Sequence, residues 1–287
     1  MSHDTAHPTA VGRREFLIGA GALAALSTSG APARAQAKIA APNIIKPGVL
    51  VMSINPTLPP LQFVNDRGEL QGMRVELGNL IAQSLGLTPE YVRIEFAAMV
   101  PGLAAKRWDM INTGIFWTEE RSKLMYMVPY ERAAISFLVS KGNPLNISKW
   151  QDLAGRAVSV ELGGIEERRT REVDEMLKKE GLKGIEIRTF NNFAEAFQAL
   201  RARQVDASTS IDATAMYWQG RGDFSRAIAG LFPQVASFAF ANKTLAEGVV
   251  GSLNDLKKAG TYDALFDRYG VLKVEEASFG IKGPGPA

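Results

Sequence analysis

The side chain with the clearest capacity for binding chemistry is Arg121, which ends the run Thr113-Gly-Ile-Phe-Trp-Thr-Glu-Glu-Arg121. The run follows a short apolar segment, so it predicts a strand that ends in a polar turn. Thr118 is placed to cap a short helix, with Glu119 and Glu120 in its first turn, where the helix dipole favours acids. Arg121 then points back at the strand end, where its fork fits a carboxylate. The alternative is a surface arginine paired with one of those two acids.

A second polar turn lies at Gly163, Gly164 and Ile165, after the apolar segment Val158–Val160. Three consecutive N–H groups at the start of the helix that follows are expected to be free to hold an anion. The alternative is a tight glycine turn without a ligand.

The chain lacks several reactive side chains. It contains no cysteine, which excludes disulfides, thiolate nucleophiles and iron–sulfur clusters. Its two histidines are His3 and His7, so removal of the first residues on export would leave no histidine for Ser-His-Asp catalysis or zinc binding. The net charge of +3 is too small to indicate a nucleic-acid partner or an anionic membrane surface. We expect no cofactor and no metal.

Residues 1–37 are predicted to be a secretory signal peptide. A basic region around Arg13-Arg14 precedes an Ala/Gly-rich apolar run to Leu26, and Ala-x-Ala sites follow at 33–35 and 35–37. Arg13-Arg14 resembles the twin-arginine export motif. The apolar run is too short and too rich in glycine for a good membrane span. These features predict an exported, periplasmic protein, and the alternative is an uncleaved anchor or a chance arginine pair.

From Lys46 onward, strand-like and helix-like segments alternate, which favours a mostly parallel sheet covered by helices. A chain of 287 residues can bury the cores of two modest domains. The predicted strands are Val49–Ile54, Tyr91–Phe96, Met110–Asn112, Ile135–Ser140, Val158–Val160, Ile185–Thr189, a segment from Val205 to about Ile211, and Val235–Ala241. The predicted helices are Met73–Leu85, Val100–Lys106, Glu166–Lys179, Phe193–Ala202, Leu245–Lys257 and Tyr262–Tyr269.

The run ending in Arg121, together with Val128-Pro-Tyr130, resembles the T-x-E-R … P-Y signature of periplasmic amino-acid-binding proteins, family 3 of the bacterial solute-binding proteins. The resemblance implies the α/β, two-lobed type II periplasmic-binding-protein fold: two mixed, mostly parallel sheets with helices on both faces, joined by two crossover strands. Ile135–Ser140 and Val235–Ala241 match the crossovers. Lobe one would be residues 38–137 plus 238–287 and lobe two residues 138–237, with a ligand buried by hinge closure between them.

The resemblance also implies which residues bind the ligand. Arg121 matches the arginine that grips a carboxylate, and Gly114 matches a position that offers backbone groups. Asn55 lies in the first loop, where relatives often carry Asp, and Phe96 matches an aromatic or apolar wall.

In the second lobe, Gly163, Gly164 and Ile165 match the family's glycine turn, and Glu161 matches a position that faces the cleft. Asp212 lies close to the aspartate that pairs with an α-ammonium group. The usual spacing would put Ile211 there, and Asp212 would then only cap the helix that starts at Ala213.

Several residues depart from the family pattern. Phe116 replaces a hydroxyl residue, Gly164 and Ile165 replace two threonines, and Leu58 and Leu61 replace aromatic residues over the ligand side chain. The usual clamp for an α-amino acid is therefore incomplete. With Glu161, Phe116 and Trp117, these departures favour a solute with an organic cation or a planar group, although Trp117 also suits the core.

The function that follows is capture of a small amino-acid-like or amino-acid-derived solute for an ABC importer, whose membrane permease reads the closed lobes. A monomer is expected. One alternative is a dehydratase-like enzyme of the same fold, of the cyclohexadienyl dehydratase type, with Glu161, Glu166 or Asp212 as the acid. The other is an extracytoplasmic sensor module, which is disfavoured because the chain ends soon after Tyr269 without a membrane span or signalling domain.

Overall fold

The computed structural model describes residue 39 and residues 42–286. The predicted signal peptide, with Arg13-Arg14, lies outside these residues. Over the described range, every helix is too short or too polar to cross a membrane.

The described chain alternates between strands and helices, as its sequence pattern predicts. The strands are β1 (Val49–Ile54), β2 (Thr57–Leu58), β3 (Gln62–Val64), β4 (Leu70–Gln71), β5 (Thr88–Arg93), β6 (Met110–Phe116), β7 (Tyr126–Ser140), β8 (Ala157–Glu161), β9 (Glu186–Phe190), β10 (Ala207–Ile211) and β11 (Phe224–Phe240). The helices are α1 (Met73–Ser84), α2 (Met99–Ala104), α3 (Glu119–Ser122), α4 (Ile165–Lys179), α5 (Phe193–Arg201), α6 (Asp212–Arg221), α7 (Lys243–Lys258) and α8 (Thr261–Tyr269). Short 3₁₀ turns lie at Phe96–Ala98 and Trp150–Leu153.

Eight strands form one sheet in the order β5-β1-β6-β11-β7-β10-β8-β9, and β2, β3 and β4 form a separate small sheet. The three strands at one end of the sheet (β5, β1 and β6) come from the first part of the chain and are called the first strand group. The three strands at the other end (β10, β8 and β9) come from a later part and are called the second strand group. Neighbours within each group run parallel, whereas β7 and β11 pair antiparallel with each other and with the adjoining groups. The two sheets expected from the sequence are thus the two ends of a single hydrogen-bonded ladder.

The long strands β7 and β11 connect the two groups. The start of β7 lies beside the end of β11, with Val128 opposite Phe238, and the end of β7 pairs with β10, with Phe137 opposite Thr209. Both strands exceed the predicted crossover segments because their mutual pairing continues through several register shifts. Such irregularities bend a strand and increase its twist, which carries the ladder from one group to the other.

Two sequence predictions are shifted or incomplete. The predicted strand Tyr91–Phe96 is observed at Thr88–Arg93 because its parallel partner β1 ends at Ile54, opposite Arg93. Phe96 therefore leaves the ladder and starts a 3₁₀ turn. The small sheet was missed because its strands have two or three residues each, too few for a periodic pattern.

The C-terminal helices pack against the first strand group. Arg268 and Tyr269 of α8 both contact the carboxylate of Glu76 on α1. The hydroxyl of Tyr262 donates to the backbone oxygen of Tyr130 at 2.8 Å, and the Tyr130 ring stacks on Phe238 with centroids 3.9 Å apart. This buried aromatic cluster anchors α8 beside β7 and β11.

Candidate functional site

A small enclosed cavity lies between the two strand groups, close to the ends of β6 and β8. Its volume of about 20 Å³ is enough for one water molecule and far too small for an amino acid. The first group and its loops contribute Leu58, Arg74, Phe96, Thr113, Gly114, Phe116 and Arg121, and the second contributes Glu161, Ile165, Glu166, Phe193 and Ile211. The two sides therefore lie close together in the described conformation, with no room for an amino acid in this cavity.

Arg121 lies where the sequence predicts, on the first turn after β6. The Thr118 hydroxyl caps this turn by accepting the Arg121 N–H at 3.1 Å. The guanidinium turns back to the strand end and donates from Nη1 to the Phe116 oxygen at 3.0 Å and from Nη2 to the Gly163 oxygen at 3.2 Å. Its Cζ lies 5.5 Å from the centre of the Phe96 ring. Arg121 thus links the two sides of the cavity.

The acids next to Arg121 in sequence pair elsewhere. Glu119 binds Lys123 at 2.8 Å, and Glu120 binds Arg168 of α4 at 3.4 Å. The alternative of a surface pair between Arg121 and a neighbouring glutamate is therefore not observed. Arg121 is free of a carboxylate hydrogen-bond partner among the described residues, and burial lowers its pKa.

Glu161 faces the cavity and contacts Asn55 from the opposite side. The Asn55 amide donates from Nδ2 to Glu161 Oε1 at 2.5 Å, and Glu161 is only 3 % exposed. Burial raises the pKa of Glu161 well above its usual range, and the negative charges of Glu166 and Glu95 raise it further. The hydrogen bond from Asn55 opposes this effect. Asn55 thus contacts a residue of the cavity wall without lining the cavity itself.

Glu166 is a cavity residue that sequence reasoning did not include among the ligand-binding positions. It is 4 % exposed, and among the described residues its carboxylate accepts a hydrogen bond only from its own backbone N–H. Burial raises the pKa of Glu166 to about 6, against the opposing effects of that N–H and the positive charges of Arg121 and Arg74. An acid in the first turn of a helix is ordinary in sequence terms, so the sequence singled out Glu166 only as a candidate acid of the alternative enzyme.

Two of the three N–H groups that the sequence predicts to be free in the glycine turn have partners within the protein. The Gly163 N–H donates to Glu167 Oε2 at 2.8 Å, and the Gly164 N–H donates to the Glu161 backbone oxygen at 3.4 Å. Two of the three N–H groups are therefore already paired, one with a carboxylate of the following helix and one with a backbone oxygen. Ile165 contributes instead to the wall of the cavity.

Asp212 does not line the cavity, and Ile211, the position given by the usual spacing, does. Asp212 is the first residue of α6 and makes no capping hydrogen bond. Its carboxylate accepts from Ser136 Oγ and lies 2.9 Å from Nη2 of Arg226 on β11. The partners of Asp212 in this structure thus come from β7 and β11, and its predicted contact with a ligand stays a prediction.

A buried ion pair between Arg74 and Glu131 lies behind the cavity. Arg74 Nε and Nη2 donate to the two Glu131 oxygens at 2.9 Å each, and the side chains are 1 % and 0 % exposed. Arg74 Nη1 also donates to Gln62 Oε1 at 3.0 Å and to the Thr113 oxygen at 2.5 Å. Sequence reasoning missed this pair because the two residues lie 57 positions apart, on different elements.

Gly114 passes close to this pair. Its φ of 72° lies in the left-handed region, and a Cβ atom there would be 2.1 Å from Arg74 Cζ. Only glycine lets the strand lie directly against the guanidinium. The Thr113 carbonyl before it accepts hydrogen bonds from Arg74 and Gln62, so it is not presented to a solute.

The remaining predicted residues are apolar or aromatic parts of the wall. Leu58 and Phe116 are buried and Phe96 is half-buried. Trp117 lies apart from the cavity lining and donates from Nε1 to the Lys282 oxygen at 3.1 Å. A wider depression of about 810 Å³ adjoins the cavity and shares Arg121 and Ile165 with it.

Over residue 39 and residues 42–286, no cluster of three or more His, Cys, Asp or Glu side chains is arranged to hold a metal ion. The lining of the cavity thus includes two arginines from one side, two glutamates from the other, and the rings of Phe96, Phe116 and Phe193. This arrangement suits a small solute that carries both signs of charge.

Comparison with known proteins identifies similar sequences and folds. The family model for bacterial extracellular solute-binding proteins, family 3, matches residues 50–271. The L-cystine-binding protein TcyJ of Escherichia coli K12 is 27% identical over 227 residues, which cover 77% of this chain and 82% of TcyJ. Among solved structures, an ancestral arginine-binding protein bound to arginine has 31% identity and a TM-score of 0.68, covering 77% of this chain and 98% of its own. The ancestral amino acid-binding protein AncCDT-1, a precursor of cyclohexadienyl dehydratase, has 28% identity and a TM-score of 0.67. The match covers 77% of this chain and 95% of AncCDT-1.

Proposed function

Because this chain belongs to family 3 of the bacterial extracellular solute-binding proteins, we propose that it captures an amino-acid-like or amino-acid-derived solute for the permease of an ABC importer. The solute carries a carboxylate and a cationic group. The single observation that carries this proposal is the arrangement of Arg121 on one side of the closed cavity and the two buried acids Glu161 and Glu166 on the other. The likeness to solved structures confirms the predicted type II periplasmic-binding-protein fold.

The two strand groups correspond, in this proposal, to two lobes that open and close. Lobe one comprises residues 38–137 and 238–287, and lobe two comprises residues 138–237. Contacts between them include Asn55 with Glu161, Arg121 with Gly163, and Glu120 with Arg168. Since the closed cavity holds about one water molecule, solute entry requires these contacts to break and β7 and β11 to bend as the hinge.

Arg121 holds the solute carboxylate. Its Nη1 and Nη2 groups donate to neutral carbonyl oxygens in this structure. A carboxylate is a stronger acceptor than a carbonyl and can bind both groups of the guanidinium at once. The cationic group faces Glu161 and Glu166, which takes the place that the sequence assigned to Asp212. Gly114, Leu58, Phe96, Phe116 and Ile165 complete the surface around the solute.

The predicted export signal and the family indicate where the protein acts and with which partner. The protein acts in the periplasm as a monomer, without a cofactor, and its closed form is what the permease recognises. Relatives include an L-cystine-binding protein and a "Probable histidine-binding protein", so solutes of varied side chain are compatible with this fold.

A ligand screen tests the proposal. Thermal unfolding of the mature chain is measured with single amino acids, including arginine, lysine, histidine, cystine and glutamine, and with opines, betaines, amines and small carboxylates. A solute at about 100 times its Kd stabilises the folded state by roughly 2.7 kcal/mol, which raises Tm by several degrees. Calorimetry then gives the affinity. If no carboxylate-bearing cation raises Tm, the proposal is contradicted.

The second candidate is a dehydratase-like enzyme, favoured by one observation. A buried acid whose pKa is raised to about 6, such as Glu166, is suited to donate a proton near neutral pH. Mass spectrometry of each stabilising solute after incubation distinguishes the two functions. Recovery of unchanged solute supports a binding protein, whereas loss of water from the solute, abolished in Glu166→Gln, supports the enzyme.

A further inference from the structure

We infer that residues 281–286, called the strap, hold the turn that carries Arg121 in its binding position. The strap lies outside the cavity, so its residues act as positioning residues through Arg121. Their effect on solute affinity rests on the proposed function, whereas their effect on the turn does not. The inference depends on the weakness of the turn, on where the strap is anchored and on which residues of the turn it contacts.

The turn that carries Arg121 has little stability of its own. Its helix α3 has four residues, and helices this short are not stable in isolation. Arg121 nevertheless keeps its guanidinium against the Phe116 oxygen at 3.0 Å, which requires a fixed backbone. The turn therefore depends on contacts from other parts of the chain.

Phe279 anchors the chain just before the strap. It is 7 % exposed, and its ring packs edge-on against Tyr262 of α8 with centroids 5.1 Å apart. Asn254 of α7 fixes its backbone, accepting the Phe279 N–H at 2.8 Å and donating to the Phe279 oxygen at 3.3 Å. The strap thus starts from a fixed point on the C-terminal helices.

The strap contacts both ends of the turn. The Lys282 N–H donates to the Met127 oxygen on β7 at 2.8 Å, and the Lys282 oxygen accepts the Trp117 indole N–H at 3.1 Å. The Lys282 ammonium also lies 4.5 Å from the centre of the Trp117 ring. At the other end of the turn, the Gly285 N–H donates to the Ser122 oxygen at 2.9 Å. The strap therefore holds the turn on both sides of its arginine.

Two glycines let the strap lie directly against its partners. Gly283 and Gly285 have φ values of 97° and 79°, in the left-handed region that favours glycine. A Cβ atom on Gly283 would overlap the Ser122 side chain, and a Cβ atom on Gly285 would overlap the Tyr126 ring. The close approach of the strap thus requires glycine at both positions.

The contact with Trp117 reaches the guanidinium of Arg121 through one peptide unit. Trp117 follows Phe116, whose oxygen accepts the hydrogen bond from Arg121. The backbone N–H of Trp117 donates to the Val235 oxygen of β11 at 3.0 Å, and its side chain is held by the strap. Without the strap, the turn would sample more positions, and binding a carboxylate would have to restore the productive one.

Hydrogen exchange of the ligand-free protein tests whether the strap holds the turn. In the double variant Gly283→Ala/Gly285→Ala, exchange in a peptide covering residues 117–125 should become roughly 10-fold faster. A peptide covering residues 162–170 should keep the wild-type rate, which distinguishes local release from a loss of global stability. Gly280→Ala is the matched control and should change neither peptide, because a Cβ atom there meets open space.

Lys282→Ala tests the same contact without adding an atom to the interface. Lys282 is exposed, so its replacement leaves the core packing intact. Loss of the contact between its ammonium group and the Trp117 ring should speed exchange of residues 117–125 by about two- to fivefold.

Thermal-shift titration tests the consequence for binding, with L-arginine, L-lysine, L-histidine, L-cystine and L-glutamine as probes. Each probe that wild-type protein binds should bind roughly 10-fold more weakly to the double glycine variant. In an Arg121→Ala background, the same two glycine changes should alter affinity by less than about twofold, because the strap acts through Arg121. A general loss of structure would weaken binding in both backgrounds.

The outcomes separate this inference from the proposed function. Wild-type exchange of residues 117–125 in both the double glycine variant and Lys282→Ala overturns the inference. Faster exchange with wild-type affinity, or equal weakening in the Arg121→Ala background, overturns the role of the strap in positioning Arg121. Absence of binding by all five amino acids contradicts the proposed function and removes that role with it, whereas hydrogen exchange still decides whether the strap holds the turn.

Discussion

Arg121 donates a hydrogen bond from Nη2 to the backbone oxygen of Gly163 at 3.2 Å, across the closed cavity. The partner residues come from the turn after β6 and the turn after β8, which lie in different strand groups. The bond connects an ionised donor to a neutral acceptor, so a carboxylate offered at the same place is a stronger partner. Solute binding would therefore replace a direct link between the two sides with a link through the solute.

Replacement of Arg121 by Ala should weaken solute binding by about 2–5 kcal/mol, because the buried carboxylate would lose its charged partner. Arg121→Lys keeps the charge without the fork and should recover only part of the loss. Calorimetry with the solute found by screening measures both. Arg67→Ala, which removes an exposed pair with Glu69 away from the cavity, is the control and should change affinity by less than about 1 kcal/mol. Wild-type affinity in Arg121→Ala would show that the carboxylate is held elsewhere.

The Arg74–Glu131 pair should make a large contribution to stability that depends on both partners. Arg74→Met leaves Glu131 buried without a partner and should lower the free energy of unfolding by about 3–5 kcal/mol in urea denaturation. The double variant Arg74→Met/Glu131→Leu should recover most of this loss, since two apolar side chains need no partner. Arg67→Met, which breaks an exposed pair with Glu69, should cost no more than about 1 kcal/mol. Equal losses in the single and double variants would contradict this account.

Gly114→Ala should be more harmful than a matched change at Gly142. The two glycines have similar φ values, 72° and 79°, but only Gly114 lies against another residue, Arg74. Gly142→Ala should cost about 1–2 kcal/mol of unfolding free energy through backbone strain alone. Gly114→Ala should cost more than this, because the new methyl group must also displace the Arg74 guanidinium. It should also weaken solute binding. If denaturation gives the same loss for both variants, the close approach to Arg74 has no energetic consequence.

The empty closed form should become less stable as pH rises through about 6. The pKa of Glu166 is raised from 4.5 to about 6 by burial, so the closed form holds a proton that water-exposed Glu166 would release. Relative to the open form, this proton stabilises the closed form fully below pH 4.5. The stabilisation, about 2 kcal/mol, is lost as the pH rises above about 6. Glu161, raised in the same direction, adds to the effect.

Small-angle scattering of the ligand-free protein measures this dependence. Between about pH 5 and about pH 8 the radius of gyration should increase in wild type, because opening returns both acids to water. The increase should be smaller in Glu166→Gln, and Glu175→Gln should behave as wild type. A radius that does not change with pH would contradict the prediction.

Export through the twin-arginine route is the prediction that concerns the residues outside the described part of the chain. Replacing Arg13 and Arg14 with Lys should leave precursor in the cytoplasm, because that pathway reads the arginine pair. Cell fractionation and immunoblotting measure the precursor and mature forms. Unchanged periplasmic yield in cells that lack the twin-arginine translocase would refute this route but not export itself.

Features that depend on neighbouring residues were predictable from the sequence. The Thr118 cap and the position of Arg121 require only a few residues of local backbone, and both are observed as predicted. Alternation of apolar segments gave the α/β class and most helix bounds, because the buried face of each element repeats with its own period. The shift of β5 and the added length of β7 were not predictable, since a strand ends where its partner ends.

The partners of the charged side chains were decided only by the tertiary structure. Asn55 and Glu161 are 106 positions apart, and Arg74 and Glu131 are 57 positions apart, so no local pattern joins them. Asp212 and Glu166 are both acids in the first turn of a helix, and the residues around them in sequence do not indicate which of the two faces the cavity. The paired strands β7 and β11 bring Arg226 and Ser136 to Asp212, whereas Glu166 is buried at the cavity without another donor. An acid's role depends on which charges and donors the fold places beside it, and that arrangement is set by long-range packing.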